Sequence, residues 1–201
     1  WPLLETMRDR AIAFVPASGR QCTTLSTMFG SHLQGMPIIA ENGTYVVRDG
    51  VDISSSTIDP NLTREVITGV RQLRNDGHDV GLVVATKSIA YLERGDDPFV
   101  SHVATYYHSH RIVKDLSEHT DDVIKLSIYD FREASEATYP TMQRTAPEHQ
   151  VILATPNWVD IMNPGVNKGS AVEAVQRDLG VTADQTAIFG DFLNDLEMMP
   201  M

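Results

Sequence analysis

The chain has 201 residues, 42% of them hydrophobic and 21% charged, the balance of an ordinary globular protein. Its 27 acidic residues outnumber 16 lysines and arginines, a formal charge of −11 that argues against nucleic acid and anionic membrane surfaces as partners. A single cysteine, Cys22, excludes an intramolecular disulfide and a multi-cysteine zinc site, and it fits a reducing, cytoplasmic setting. No apolar run approaches the roughly 20 residues that a bilayer span needs. The N-terminus lacks the basic-then-apolar pattern of a signal peptide.

Leu3, Leu4 and Met7 recur at helical spacing and predict a first helix. Ala11 to Val15 is a short apolar run of buried-strand type. It leads through Pro16-Ala17-Ser18-Gly19-Arg20 into a second helix, with Cys22, Leu25, Met28 and Phe29 on one face. Met36 to Ala40 predicts a strand running into the turn Glu41-Asn42-Gly43. Tyr45-Val46-Val47 and Val51-Asp52-Ile53, flanking Arg48-Asp49-Gly50, predict a hairpin.

Asp59-Pro60 is a helix start, a capping carboxylate followed by proline in the first turn. Leu62, Val66, Val70 and Leu73 continue that helix, and Gly77 ends it. Strands are expected over Val80–Ala85, Val123–Tyr129 and Val151–Ala154. Helix is expected in part of residues 97–119 and over Glu133–Met142. The middle of the chain therefore reads as an α+β block inserted between two α/β pieces. Trp158–Met162 predicts a strand, residues 167–179 an amphipathic helix stopped by Gly180, and Thr186–Phe189 a strand delivering Gly190-Asp191 at its carboxyl end. Ligand sites of open parallel sheets lie at such ends.

Three polar clusters follow three of these strands. Ser18-Gly19-Arg20 offers a hydroxyl and successive backbone N–H groups, which suits either an anion site or a simple N-cap at Ser18. Lys168 stands in a first helical turn, where a cation opposes the dipole; an anion nearby would compensate it, and a solvated surface lysine is the alternative. Gly190-Asp191-Phe192-Leu193-Asn194-Asp195 carries two acids four apart, which a helix would place on one face. Carboxylate oxygens of that kind are the hard ligands that Mg²⁺ takes, and an acidic helix start is the plain alternative. His102, His108 and His110 lack a third ligand at a convincing spacing.

In order, these clusters resemble the haloacid dehalogenase-like phosphatases, specifically the Cof-type branch with a type IIB cap. Ala17-Ser18-Gly19-Arg20 is similar to that family's second motif, and Glu41-Asn42-Gly43 to its turn before the cap. Asn167-Lys168-Gly169 is similar to the third motif and Gly190 to Met199 to the fourth. The resemblance implies an α/β fold, a Rossmann-like core with a parallel sheet and an inserted α+β cap. Residues 1–58 and 158–201 would form the core and 59–157 the cap.

It also implies roles. Ser18, with Gly19 and Arg20, would bind the transferring phosphoryl group, and Lys168 would neutralise its charge. Asp191 would bind Mg²⁺ directly and Asp195 directly or through water. Asn194 would support the phosphate or the metal shell, and Asn42 and Arg20 would have substrate or structural roles. The implied reaction is Mg²⁺-dependent hydrolysis of a small phosphorylated metabolite through an aspartyl phosphate, with the cap excluding water. A phosphomannomutase-like phosphotransferase and a non-catalytic binder of a phosphorylated ligand are the alternatives. The family's first motif, D-x-D-G-T, is absent: no Asp-x-Asp occurs in these 201 residues. The chain opens on Trp1 and stops at Met199-Pro200-Met201, so the expectation is that both ends are cuts and that the nucleophile lies upstream.

Overall fold

The computed structural model describes residues 1–191 and 193–201; Phe192, within the fourth cluster, lies outside the described residues. The described chain forms two compact units. Residues 1–55 and 166–201 make one, and residues 56–165 the other.

The first unit begins with helix α1 (Pro2–Asp9) and helix α2 (Cys22–Phe29). Strands β1 (Pro37–Ala40), β2 (Tyr45–Arg48) and β3 (Val51–Ser55) follow as an antiparallel sheet in sequence order. The β2–β3 hairpin forms where Asp49 and Gly50 supply the two positive φ angles, 50° and 79°, that a tight reversal requires. The expected strand at Ala11–Val15 is not formed. Ala17 makes one parallel bridge to Ile39, Ile39 N–H donates to the Pro16 carbonyl, and the ladder goes no further. Ile12 is accordingly exposed, because an apolar run becomes a strand only where a neighbour takes its backbone groups.

The second unit runs from helix α3 (Pro60–Asn75) through β4 (Val80–Thr86), β5 (Ala90–Leu92), helix α4 (Asp97–Ala104), β6 (His110–Ile112) and β7 (Val123–Asp130). Helix α5 (Thr138–Thr145), β8 (Gln150–Leu153) and β9 (Trp158–Met162) complete it. Its six strands lie in the order β6-β5-β4-β7-β9-β8; every pair is antiparallel except β5–β6. Asp59 caps α3 by accepting the Asn61 N–H at 2.6 Å. The 3.6-residue period of α3 then presses Leu62, Val66, Ile67, Val70 and Leu73 onto Val80, Leu82, Val84, Leu126, Ile128, Val159 and Ile161. Each such burial is worth about 1.5–3 kcal/mol against exposure. Phe99 and Val103 of α4 cover Val83, Ala85 and Leu92, together with Tyr107, Tyr129 and Trp158.

Two expectations shift here. β9, expected on the core side of the second boundary, pairs with β7 and β8 and belongs to the inserted sheet. Helix α5 starts at Thr138 and not at Glu133, because Asp130 turns the chain: its carboxylate accepts the Arg132 N–H and the Thr138 hydroxyl.

The chain re-enters the first unit as helix α6 (Lys168–Leu179). Ala171, Val172 and Val175 pack on Ile39, Val46 and Met198, the last in the 3-10 helix Leu193–Met198. Thr186–Phe189 makes no ladder, and Phe189 is largely exposed. Among the described residues, no helix is long and apolar enough to cross a membrane.

Candidate active site

The packing of α6 on β1 and β2 brings three turns of the first unit together. Asn167 caps α6, accepting the Ser170 N–H at 2.9 Å while Ser170 Oγ accepts the Asn167 N–H at 3.1 Å. This box fixes the start of α6 at Lys168. Gly43 fits against the cap so closely that a Cβ there would stand 2.3 Å from the Asn167 carbonyl oxygen.

Lys168 is buried, and its Nζ donates to Asp195 Oδ1 at 2.5 Å. The anion expected opposite this misplaced cation is thus the Asp195 carboxylate, itself buried. Its second oxygen, Oδ2, accepts the Asp191 N–H at 3.0 Å. Gly190 makes the return possible, since a Cβ there would lie 2.5 Å from the Asp195 Cβ. The two acids do not share a helical face as expected. Asp191 precedes the 3-10 helix and is an exposed residue, whereas Asp195 folds back beneath it.

Ser18 is not the N-cap of α2, which begins after Gln21. Its Oγ accepts the Arg20 N–H at 3.2 Å, and its carbonyl accepts the Asn42 N–H at 3.0 Å. The Arg20 carbonyl accepts the Glu41 N–H at 3.0 Å, so the two turns are stitched through the backbone. Glu41, Asn42 and Gly43 have successive positive φ angles of 51°, 59° and 96°. Each non-glycine residue in that region costs about 1–2 kcal/mol, and asparagine tolerates it best. The Asn42 side chain is buried against Gly19, where a Cβ would lie 2.9 Å from Asn42 Oδ1, and that oxygen accepts Asn194 Nδ2 at 3.1 Å.

Ser18, Gly19, Arg20, Asn42, Lys168, Asp191, Asn194 and Asp195 therefore belong to one connected set of turns. The Asn42–Asn194 contact escapes sequence reading, because 152 residues separate the partners.

A second polar cluster lies outside these turns. In the inserted unit, Ser127 Oγ donates to Asp160 Oδ1 at 2.6 Å, Tyr107 Oη lies 3.0 Å from Ser127 Oγ, and Lys125 Nζ lies 3.6 Å from Asp160 Oδ2. All four residues are buried. The signal available was the alternation of Lys125 and Ser127 with Leu126 and Ile128. His102 stacks on Tyr129 with ring centroids 4.3 Å apart, and His110 Nδ1 lies 2.8 Å from the Tyr107 carbonyl. Among the described residues, no three His, Cys, Asp or Glu side chains converge as a metal cage.

An α/β core is interrupted in sequence by a separate α+β unit, and a buried ammonium–carboxylate pair lies where the core's turns meet. The chain matches the model of the haloacid dehalogenase-like hydrolases over residues 3–201 and belongs to that family. It is 27% identical over 201 residues to the 5-amino-6-(5-phospho-D-ribitylamino)uracil phosphatase YbjI of Escherichia coli K12, covering 97% of this chain and 71% of that protein. A haloacid dehalogenase-like hydrolase from Bacteroides thetaiotaomicron superposes with a TM-score of 0.84 at 18% identity, over 98% of this chain and 75% of that one. The subclass IIB sugar phosphatase BT4131 superposes with a TM-score of 0.77 at 19% identity, over 98% and 74%. These likenesses agree with the α/β core and inserted cap, and with the Cof-type resemblance read from the motifs.

Proposed function

We propose that this protein is a Mg²⁺-dependent phosphatase of small phosphorylated metabolites and that the turns around Lys168 and Asp195 hold the phosphoryl group. The observation that carries the reading is the buried Lys168 ammonium, held by Asp195, whose other oxygen fixes the Asp191 backbone. Membership of a hydrolase family supports it. So do the phosphatase names of the E. coli relative and of BT4131.

Transfer of a phosphoryl group requires positioning and charge neutralisation more than covalent work by the protein. Lys168 supplies a fixed positive charge in a desolvated place, Ser18 a hydroxyl, and Asn194 an amide. The donor set suits a hard cation: Asp191 is an exposed acidic residue, and Mg²⁺ ordinarily takes one or two carboxylates together with waters and phosphate oxygens. Asp191 is therefore the residue that would hold Mg²⁺. Asp195, engaged on both oxygens, would act chiefly by orienting Lys168 and Asp191. When bound, the ion would neutralise charge on the phosphoryl oxygens. These 201 residues contain no Asp-x-Asp, so what they supply to the reaction is positioning and charge.

The test is release of inorganic phosphate from a panel of phosphate esters by the full-length protein, with Mg²⁺ and with chelator. Turnover is expected only with the metal, and Asp191→Asn should lower it by about a hundredfold or more. No hydrolysis of any ester, or an Asp191→Asn variant as active as wild type, refutes the reading.

A further inference from the structure

The geometry assigns Asn42 as a positioning residue: through its side-chain oxygen it holds the Asn194 amide in place and so ties the turn that carries Ser18 to the turn that carries Asp191 and Asp195. The inference rests on the phosphatase reading of these turns and adds a residue to it. Three observations carry it. Asn42 is only 4% exposed, and its side chain packs against Gly19 and Asn194. Its Oδ1 accepts Asn194 Nδ2 at 3.1 Å, and its backbone N–H donates to the Ser18 carbonyl at 3.0 Å, so one residue touches both turns. Its left-handed backbone, φ 59° and ψ 25°, lies between two further positive-φ residues and is held by cross-turn hydrogen bonds from Glu41 and Asn42. Strained backbone that the surroundings over-determine is characteristic of pre-organised sites. Gly19 completes the slot, since any side chain there would displace the Asn42 amide.

A residue that acts through Asn194 must lose its effect when Asn194 is gone. The experiment is a double-mutant cycle in the full-length protein with Asn42→Gly, which keeps the left-handed backbone and deletes the side chain, Asn194→Ala, and both together. Two readouts are taken: kcat on a hydrolysed ester, and affinity for inorganic phosphate by calorimetry.

Asn42→Gly alone is expected to lower kcat about tenfold. On the Asn194→Ala background it should lower kcat less than twofold further, with the same non-additivity in phosphate affinity. An equal factor on both backgrounds overturns the inference, because a general loosening of the fold would act with or without Asn194. If Asn42→Gly does not fold, Asn42→Ser, too short to reach Asn194, carries the same cycle. If the wild type hydrolyses no ester, the phosphatase reading fails, and phosphate affinity alone decides the role of Asn42. If the wild type also binds no phosphate, both fall.

Discussion

Replacing Lys168 with methionine keeps most of the side-chain volume and removes the charge. The Asp195 carboxylate, only 6% exposed, then loses the ammonium at 2.5 Å and keeps the Asp191 N–H at 3.0 Å. Removing one partner of a buried ion pair costs about 3–5 kcal/mol. The lysine also opposes the α6 dipole from its first turn, so its loss returns about 0.3–1 kcal/mol. The net expectation is a destabilisation of about 2–4.7 kcal/mol, or roughly 4–19 °C in melting temperature for a chain of this size. Urea unfolding of wild type, Lys168→Met, Asp195→Asn and the double variant measures it. Neutralising both partners removes the uncompensated charge, so the double variant should recover at least half of the deficit while remaining inactive. A Lys168→Met variant within about 0.5 kcal/mol of wild type would show that the ammonium and carboxylate are solvated and that the pair does not organise the site.

Three further outcomes follow from the same structure. Gly190→Ala places a Cβ 2.5 Å from the Asp195 Cβ, so the acidic turn must move, and turnover should fall by about a hundredfold; unchanged kcat would mean the turn is plastic. Leu126→Ala, fully buried beneath α3, should cost about 2–5 kcal/mol in urea unfolding. Arg71 holds Asp115 down to about 2 and lowers Glu93 as well, chiefly through its hydrogen bonds to them. Carboxylates depressed in the folded state contribute stability above their ordinary range near pH 4 and lose it as pH falls through the folded values. Arg71→Met should therefore be less stable than wild type at pH 7, by a gap that narrows toward pH 2 in urea midpoints; a constant gap would refute the linkage.

Helix α3 was legible because its signals are local: a capping Asp59, a proline in the first turn, a 3.6-residue apolar stripe and a terminal Gly77. The hairpin over Asp49-Gly50 was legible for the same reason. The apolar runs Ala11–Val15 and Thr186–Phe189 misled, since strand formation depends on a neighbour that the run itself does not encode. Trp158–Met162 forms the strand its pattern predicts, but its sheet depended on which strands it would meet.

By itself the sequence determined the chemistry available: a hydroxyl, a lysine set against a helix dipole, two acids after a glycine, and their order along the chain. Only the tertiary structure decided how these groups divide their work. It buried Asp195 against Lys168, left Asp191 exposed, and placed Asn42 between Gly19 and Asn194. The physical reason is that pairing and burial are relations between segments distant in sequence, created when α6 packs on β1 and β2, whereas spacing and propensity act within a few residues.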